Sequence, residues 1–155
     1  MDTSLKPGIS TIPAIEVNGV LVRTSNHIEM SDGKGRIASL WNQFDQQIAP
    51  QLKQGSRVFG VYSDYESDLN GHFNVLAGTD QKGIEVESGS DSRLIQAGRY
   101  LVFPVRGELP LSVVVAWQAV WDYFQQDDCP YQRAYTTDFE LYTAKDSAEL
   151  HIAVR

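Results

Sequence analysis

The sequence predicts an α+β domain formed by duplication of one β-α-β-β unit. Two short segments share the pattern Ser/Thr-Asp-aromatic-Glu: Ser63-Asp64-Tyr65-Glu66 and Thr137-Asp138-Phe139-Glu140. Each follows a helix-like stretch that carries a tryptophan three residues before a phenylalanine, at Trp41 and Phe44 and at Trp121 and Phe124. The repeat predicts an antiparallel sheet with pseudo-two-fold symmetry, two helices covering one face, and a ligand pocket between the copies.

Length and composition favour one compact domain. The chain has 155 residues, of which 42% are hydrophobic, so it can bury a substantial core. Its formal net charge of −7 disfavours direct binding to nucleic acids or anionic membranes. The predicted organisation is an N-terminal tail over residues 1–12 and a single domain over 13–155, divided into repeat one (13–79), a join (80–96) and repeat two (97–155).

In repeat one, apolar residues predict a strand over 14–25, with a bend or bulge at Asn18-Gly19. A loop over 26–35 follows, where Asp32 is a candidate helix cap. Apolar side chains at helical spacing predict a helix over 36–52. A hairpin with strands 58–65 and 72–78 completes the repeat, because Asn70-Gly71 is typical of a turn.

In repeat two, a strand is expected over 98–105 and a helix over 111–126. This helix is apolar nearly all round as far as Trp121, which predicts deeper burial than for the first helix. A second hairpin is expected from 133–142 and 148–154, across Lys145-Asp146.

The sequence contains no motif typical of a catalytic, metal or cofactor site. Its three histidines lack metal-ligand spacing, and phosphate-binding and Cys-x-x-Cys motifs are absent. Cys129 is the only cysteine, which excludes an intrachain disulfide and favours a reducing compartment. Without a signal peptide or an apolar run of about 20 residues, a cytoplasmic protein is expected.

Glu140 is the main candidate for ligand binding. It lies in the middle of a predicted strand, with Tyr142 on the same face, and the second helix supplies Trp117 and Trp121. A buried carboxylate among aromatic rings suits a lipophilic cation, because each ring face adds about 0.5–2 kcal/mol of cation–π attraction. The competing interpretation places Glu140 on a solvated face and the tryptophans in an ordinary core.

The first repeat adds three further candidate ligand-contacting residues. Tyr62 shares a strand face with the pseudo-symmetric partner of Glu140, Glu66, whereas Phe59 and Tyr65 are expected on the other face. Because Glu66 sits close to a turn, it is expected to cap the hairpin or line the pocket mouth. Phe59 is included among the lining residues.

The segments 61–68, 70–78 and 135–142, together with the tryptophan-bearing stretch 111–124, resemble the gyrase-inhibitor-like, AraC-type effector-binding domains. Within that bacterial group the chain is most similar to stand-alone drug-binding proteins encoded in mobile integron cassettes. The resemblance implies an internal pocket for hydrophobic cations, with the pocket glutamate at Glu140 and aromatic lining at Trp117, Trp121, Tyr62 and Tyr142. Regulators of this group carry a helix-turn-helix region, and about a dozen residues before the first strand are too few for one.

The predicted function is therefore multidrug sensing or sequestration by a module that binds lipophilic cations. Two alternatives remain: a small-molecule hydrolase with Glu140 as general base, and a protein-interaction inhibitor of a nucleic-acid enzyme. No cofactor and no direct nucleic-acid binding are expected. Two kinds of protein partner fit a free-standing domain, a second copy in a homodimer and a separate chain that regulates transcription.

Overall fold

The chain folds into an eight-stranded antiparallel sheet with three helices, which confirms the predicted α+β class. The computed structural model describes residues 7–31 and 33–155. The strands are β1 (Gly8–Ile12), β2 (Ile15–Ser25), β3 (Val58–Ser63), β4 (His72–Thr79), β5 (Asp91–Ile95), β6 (Gly98–Arg106), β7 (Asp138–Ala144) and β8 (Ser147–Ala153). The helices are α1 (Asn26–Met30), α2 (Ile37–Gln47) and α3 (Leu111–Gln125), and a short 3-10 turn over Ala49–Gln51 follows α2.

The strand order is β1-β6-β8-β7-β3-β4-β2-β5. It is symmetric about its centre when β1, β2, β3 and β4 of the first copy are matched with β5, β6, β7 and β8 of the second. Pairing of β3 with β7 joins the two copies at the centre, where Gly60 lies directly opposite Glu140. On one side lie β4 and β2, and on the other lie their counterparts β8 and β6. The predicted pseudo-two-fold symmetry therefore has its axis beside the main candidate residue.

The edge strands were not expected. The tail prediction is wrong for β1, which pairs with β6, and the join contains β5, which pairs with β2. Each copy thus begins with a strand that pairs with the other copy. Ile12 pairs with Gly98 and Ile15 with Ile95, so the register continues across both two-residue connectors. This continuity curls the sheet.

The predicted bulge at Asn18-Gly19 is also wrong. Asn18 pairs with Thr79 and Gly19 with Gly78, so the ladder between β2 and β4 runs without interruption. Gly19 is needed for a different reason, because an added Cβ would lie 2.0 Å from the carbonyl oxygen of Ala77. Glycine here permits close approach of backbone rather than an extra residue.

Three buried clusters form the core. Beneath α2 lies the first, with Leu40 and Phe44 packed on β2 and β4, and beneath α3 lies the second, with Val113 and Val120 packed on β6 and β8. The third cluster fills the opposite face and includes Phe139. Curling of the sheet explains why this second face is buried without a covering helix.

The N-terminus of α2 is capped from the segment that was expected to be a loop. Ser25 caps α1 by accepting a hydrogen bond from the backbone N–H of Ile28 (3.1 Å). Glu29 on α1 then accepts the backbone N–H groups of Arg36 (2.8 Å) and Ile37 (3.2 Å). A carboxylate suits this position because the first N–H groups of a helix lack intrahelical acceptors. The predicted cap, Asp32, lies outside the described residues.

Helix α3 is less buried than predicted. It carries two buried residues, Val113 and Val120, while Leu111, Val114 and Val115 are more than half exposed. The prediction of deep burial came from the apolar residues found around most of the helix. In the structure α3 packs on the sheet with one side only, so the apolar residues on its other side stay exposed. In the described part of the chain, no helix is long and apolar enough to span a bilayer.

His151 makes the stability sensitive to acid. Its ring stacks on Phe139 with centroids 4.2 Å apart, and its buried Nδ1 has no hydrogen-bond partner within the described residues. Burial lowers the pKa of His151 from 6.5 to about 4. Between these values the unfolded chain binds the proton and the folded chain does not, so stability falls as the pH falls.

We expect this residue to contribute about 3 kcal/mol to the loss of unfolding free energy between pH 7 and pH 4. Urea unfolding of the wild type and His151→Leu across this range measures the contribution. The variant should show the smaller acid-induced loss. Parallel pH profiles for the two proteins would contradict a neutral, buried His151.

Candidate functional site

The Glu140 carboxylate lies at the centre of the sheet, beneath the helices, with 3% of the residue exposed. Both of its oxygens accept hydrogen bonds from aromatic side chains. Tyr142 donates to Oε1 (2.7 Å), whereas Tyr62 (2.9 Å) and the indole Nε1 of Trp117 (2.8 Å) donate to Oε2. These four residues come from β3, β7 and α3, so both copies of the unit contribute. We refer to the three donors as the aromatic donors.

Burial dominates the electrostatics of this site. It raises the pKa of Glu140 above its ordinary value, although the hydrogen bonds from the aromatic donors act in the opposite direction. Burial, followed by the charge of Glu140, raises the pKa of Tyr62 and Tyr142 well above 10. Both phenols therefore keep their protons at neutral pH and remain donors. The arrangement holds an anion that is hydrogen-bonded but has no cationic partner within salt-bridge distance among the described residues.

Gly60 makes room for the carboxylate. It lies opposite Glu140 on β3, and an added Cβ would lie 2.6 Å from Oε1 of Glu140 and 3.2 Å from Trp41. Trp41 also packs edge-on against Tyr142, with ring centroids 5.1 Å apart. Trp41 on α2 of the first copy and Trp117 on α3 of the second copy thus lie on either side of the carboxylate.

A second buried carboxylate lies two residues before Glu140. Asp138 is fully buried and forms a salt bridge with Nη2 of Arg133 (2.7 Å). It also accepts hydrogen bonds from the Tyr65 hydroxyl (2.5 Å) and the Ala153 backbone N–H (2.8 Å). Asp138 therefore has its own counter-charge, and no such partner is found for Glu140 among the residues that the structure describes.

The prediction that Tyr65 lies on the other face from Tyr62 is wrong. β3 ends at Ser63, and Asp64 adopts a positive φ of 53°. A left-handed residue breaks the alternation of side chains along a strand. Tyr65 is therefore directed to the helix-covered side, where it binds Asp138 and packs against Phe73.

Three of the expected site residues lie away from the carboxylate. Phe59 is fully buried on the opposite face, where it packs on Phe139, as strand alternation requires. Glu66 is exposed and accepts the backbone N–H of His72 (3.1 Å), which fits the expected cap of the hairpin. This hydrogen bond, followed by the contact with the His72 side chain, lowers the pKa of Glu66. Trp121 lies one turn beyond Trp117 on α3 and lines a separate groove.

Two grooves border the region. One, of about 270 Å³, lies between α1, the β3–β4 turn and Trp121, and Met30 and Leu69 line it as well. The other, of about 280 Å³, lies near the end of α3 and is lined by Phe124, Tyr131, Gln132, Arg133, Tyr135 and Arg155. Neither Glu140 nor any of the aromatic donors is among the residues that line these two grooves.

Sequence reasoning missed Gly60 and Arg133 as parts of this region. Strand alternation puts Asp138 on the same face as Glu140, but the pattern gave no reason to include it among the ligand-contacting residues. Gly60 and Arg133 could not be found in the same way, since their positions depend on pairing between distant segments.

Comparison with known proteins reveals a consistent group of relatives. The family model described as Cass2, integron-associated effector binding protein, matches residues 8–154. The putative transcriptional regulator protein YobU of Bacillus subtilis is 31% identical over 130 residues, which cover 80% of this chain and 78% of that protein. Thus the similarity extends over most of both proteins.

Solved structures show the same fold. The integron cassette protein VCH_CASS2 from the mobile metagenome of Vibrio cholerae has a TM-score of 0.90 and 41% identity, covering 97% of this chain and 96% of that one. SAV2435, solved bound to tetraphenylphosphonium, has a TM-score of 0.71 and 18% identity, covering 97% of this chain and 94% of that one.

Gly60→Ala tests whether glycine is needed at this position because any side chain would collide with the Glu140 carboxylate. The new Cβ would displace Glu140 or Trp41, so we expect a loss of about 1–3 kcal/mol in unfolding free energy. Chemical denaturation measures the loss, with Gly8→Ala as the control, because an added Cβ there meets nothing within 4 Å. Adding Glu140→Ala should recover part of the loss, and strictly additive effects would contradict this packing.

Proposed function

This chain belongs to the integron-associated effector-binding proteins, and on that premise we propose that it binds lipophilic organic cations at Glu140. The observation that carries the proposal is the buried carboxylate, for which the described part of the chain supplies no cationic partner within salt-bridge distance. Glu140 is held by three neutral donors, whereas Asp138 nearby is paired with Arg133. A ligand cation would supply the missing charge. Sensing, in which a regulatory partner recognises the filled pocket, and sequestration would both begin with this binding step.

The surroundings favour a cation with a hydrophobic, weakly hydrated body. A strongly hydrated ammonium ion would lose more solvation than a buried carboxylate returns. Delocalised or shielded charges lose less, and the faces of Tyr62, Trp117 and Trp41 offer cation–π attraction of about 0.5–2 kcal/mol each. The recorded complex of SAV2435 with tetraphenylphosphonium supports phosphonium ions as probes.

Ligand access requires the aromatic donors to separate, because they occupy both oxygens of Glu140. Trp117 is the donor from a helix, and the other two come from the central strands. A shift of α3 would withdraw Trp117 from Oε2, and rotation of the Tyr62 and Tyr142 side chains would free the remaining positions on both oxygens. The groove beside Trp121 lies on the same helix, one turn beyond Trp117.

Selective binding tests the proposal. Methyltriphenylphosphonium and triphenylphosphine oxide are similar in size, but only the former is charged. We expect the wild type to prefer the cation, and Glu140→Gln to weaken the cation at least about tenfold, or roughly 1.4 kcal/mol, while sparing the neutral compound. Isothermal titration calorimetry measures both affinities.

Glu66→Gln is the matched control, since it makes the same change at the exposed glutamate of the repeated sequence motif and should leave both affinities unchanged. Equal losses for the two compounds in Glu140→Gln would refute a charge-based site. A hydrolysable cationic ester is then incubated with the protein, and its consumption would instead support the alternative in which Glu140 acts as general base.

Trp117→Phe should make cation binding more dependent on pH. The change removes an N–H that holds the pKa of Glu140 down, so the pKa rises further and more of the carboxyl is protonated at a given pH. The affinity loss should therefore grow as the pH falls and be smallest at alkaline pH. Trp41→Phe, which removes no hydrogen bond to Glu140, is the control; a loss independent of pH in Trp117→Phe would contradict this role.

A further inference from the structure

The groove near the end of α3 has a chemical character opposite to that of the Glu140 site. Two arginines, Arg133 and Arg155, line it together with the rings of Phe124, Tyr131 and Tyr135. Its volume of about 280 Å³ accommodates a small aromatic molecule. From this lining we propose that the groove is a binding site for aromatic carboxylates, separate from the proposed cation site.

Arg133 supports an anion site because its hydrogen-bonding capacity is only partly used. The residue is 8% exposed, and within the described residues its hydrogen bonds all come from Nη2, which binds Asp138 and contacts the Tyr65 hydroxyl. The buried Nε has no partner there. A guanidinium offers five N–H donors in a planar fork that matches a carboxylate.

The aromatic rings hold the guanidinium and extend the surface. Arg133 lies 4.4 Å from the centroid of the Tyr135 ring and 5.9 Å from those of Tyr65 and Trp117. Rings of Tyr131 and Phe124 continue the wall of the groove. An aromatic carboxylate could therefore place its ring against these side chains while its charge faces the arginines.

The local charge balance also favours an anion. Asp138 offsets the charge of Arg133. Arg155 is exposed, and across the described chain no Asp or Glu side chain lies within salt-bridge distance of its guanidinium. A third arginine, Arg99, donates to the backbone oxygen of Arg155 (2.8 Å). The acidic pair Asp127 and Asp128 after α3 is exposed, so solvent and salt weaken its opposing effect.

The experiment compares 2-naphthoate with its neutral counterpart 2-naphthamide, using nuclear magnetic resonance titrations of the full chain. We expect naphthoate to bind at least fivefold more tightly than naphthamide and to shift the Arg133 Nε–H signal. Arg155→Gln should weaken naphthoate at least threefold and leave naphthamide unchanged. Arg106→Gln removes an equal charge from the exposed end of β6 and should have no effect.

Glu140→Gln separates this proposal from the cation site, because naphthoate should bind that variant at least as well as the wild type. Loss of naphthoate binding in Glu140→Gln would overturn the separation of the sites. Equal affinity for acid and amide, equal losses in Arg155→Gln and Arg106→Gln, or an unshifted Arg133 Nε–H signal would overturn the anion site itself. None of these outcomes depends on whether the protein binds cations.

Discussion

The buried carboxylate of Glu140 is the constraint on which the arrangement of the centre of the sheet depends. An unpaired buried anion is costly, and here three neutral donors reduce the cost without supplying a positive charge. Gly60 is required opposite it because a side chain would occupy the same space. Burial still raises the pKa of Glu140, so the free protein retains part of the desolvation penalty. In our proposal a bound cation relieves that penalty. Part of the binding free energy then comes from removing the desolvation penalty that Glu140 carries in the free protein.

Duplication explains how one small domain surrounds a single carboxylate. Because β3 and β7 pair at the centre, Tyr62 of the first copy and Glu140 of the second face the same side. The two helices then place Trp41 and Trp117 on either side of the carboxylate. The chemistry is not symmetric: the position opposite Glu140 across the central pair is Gly60, and Glu66, the counterpart of Glu140 in the repeated motif, is exposed and caps a hairpin. Each copy also provides an edge strand to the other, so separation of the copies would disrupt three ladders as well as the site.

Much of the fold and part of the site could be predicted from local patterns. Alternation along β7 placed Glu140 and Tyr142 on one face, and the repeated motif indicated the duplicated topology. Alternation also argues against Phe59 as a lining residue, and the structure places it on the opposite face. The remainder depends on long-range pairing or unusual backbone geometry. The edge strands required knowledge of the register between the copies, and Tyr65 changes face because Asp64 has a positive φ.

The central claim is that Glu140 is an uncompensated buried anion that a ligand cation neutralises. The most direct measurement is the pKa of the Glu140 carboxyl group, with and without saturating methyltriphenylphosphonium. The carbon-13 chemical shift of the carboxyl carbon, followed by nuclear magnetic resonance as the pH is varied, reports this pKa. The account predicts a pKa above the ordinary value of 4.5 in the free protein and a clear decrease when the cation is bound, because the positive charge favours the ionised carboxylate. An ordinary pKa that is the same in both states would contradict the account.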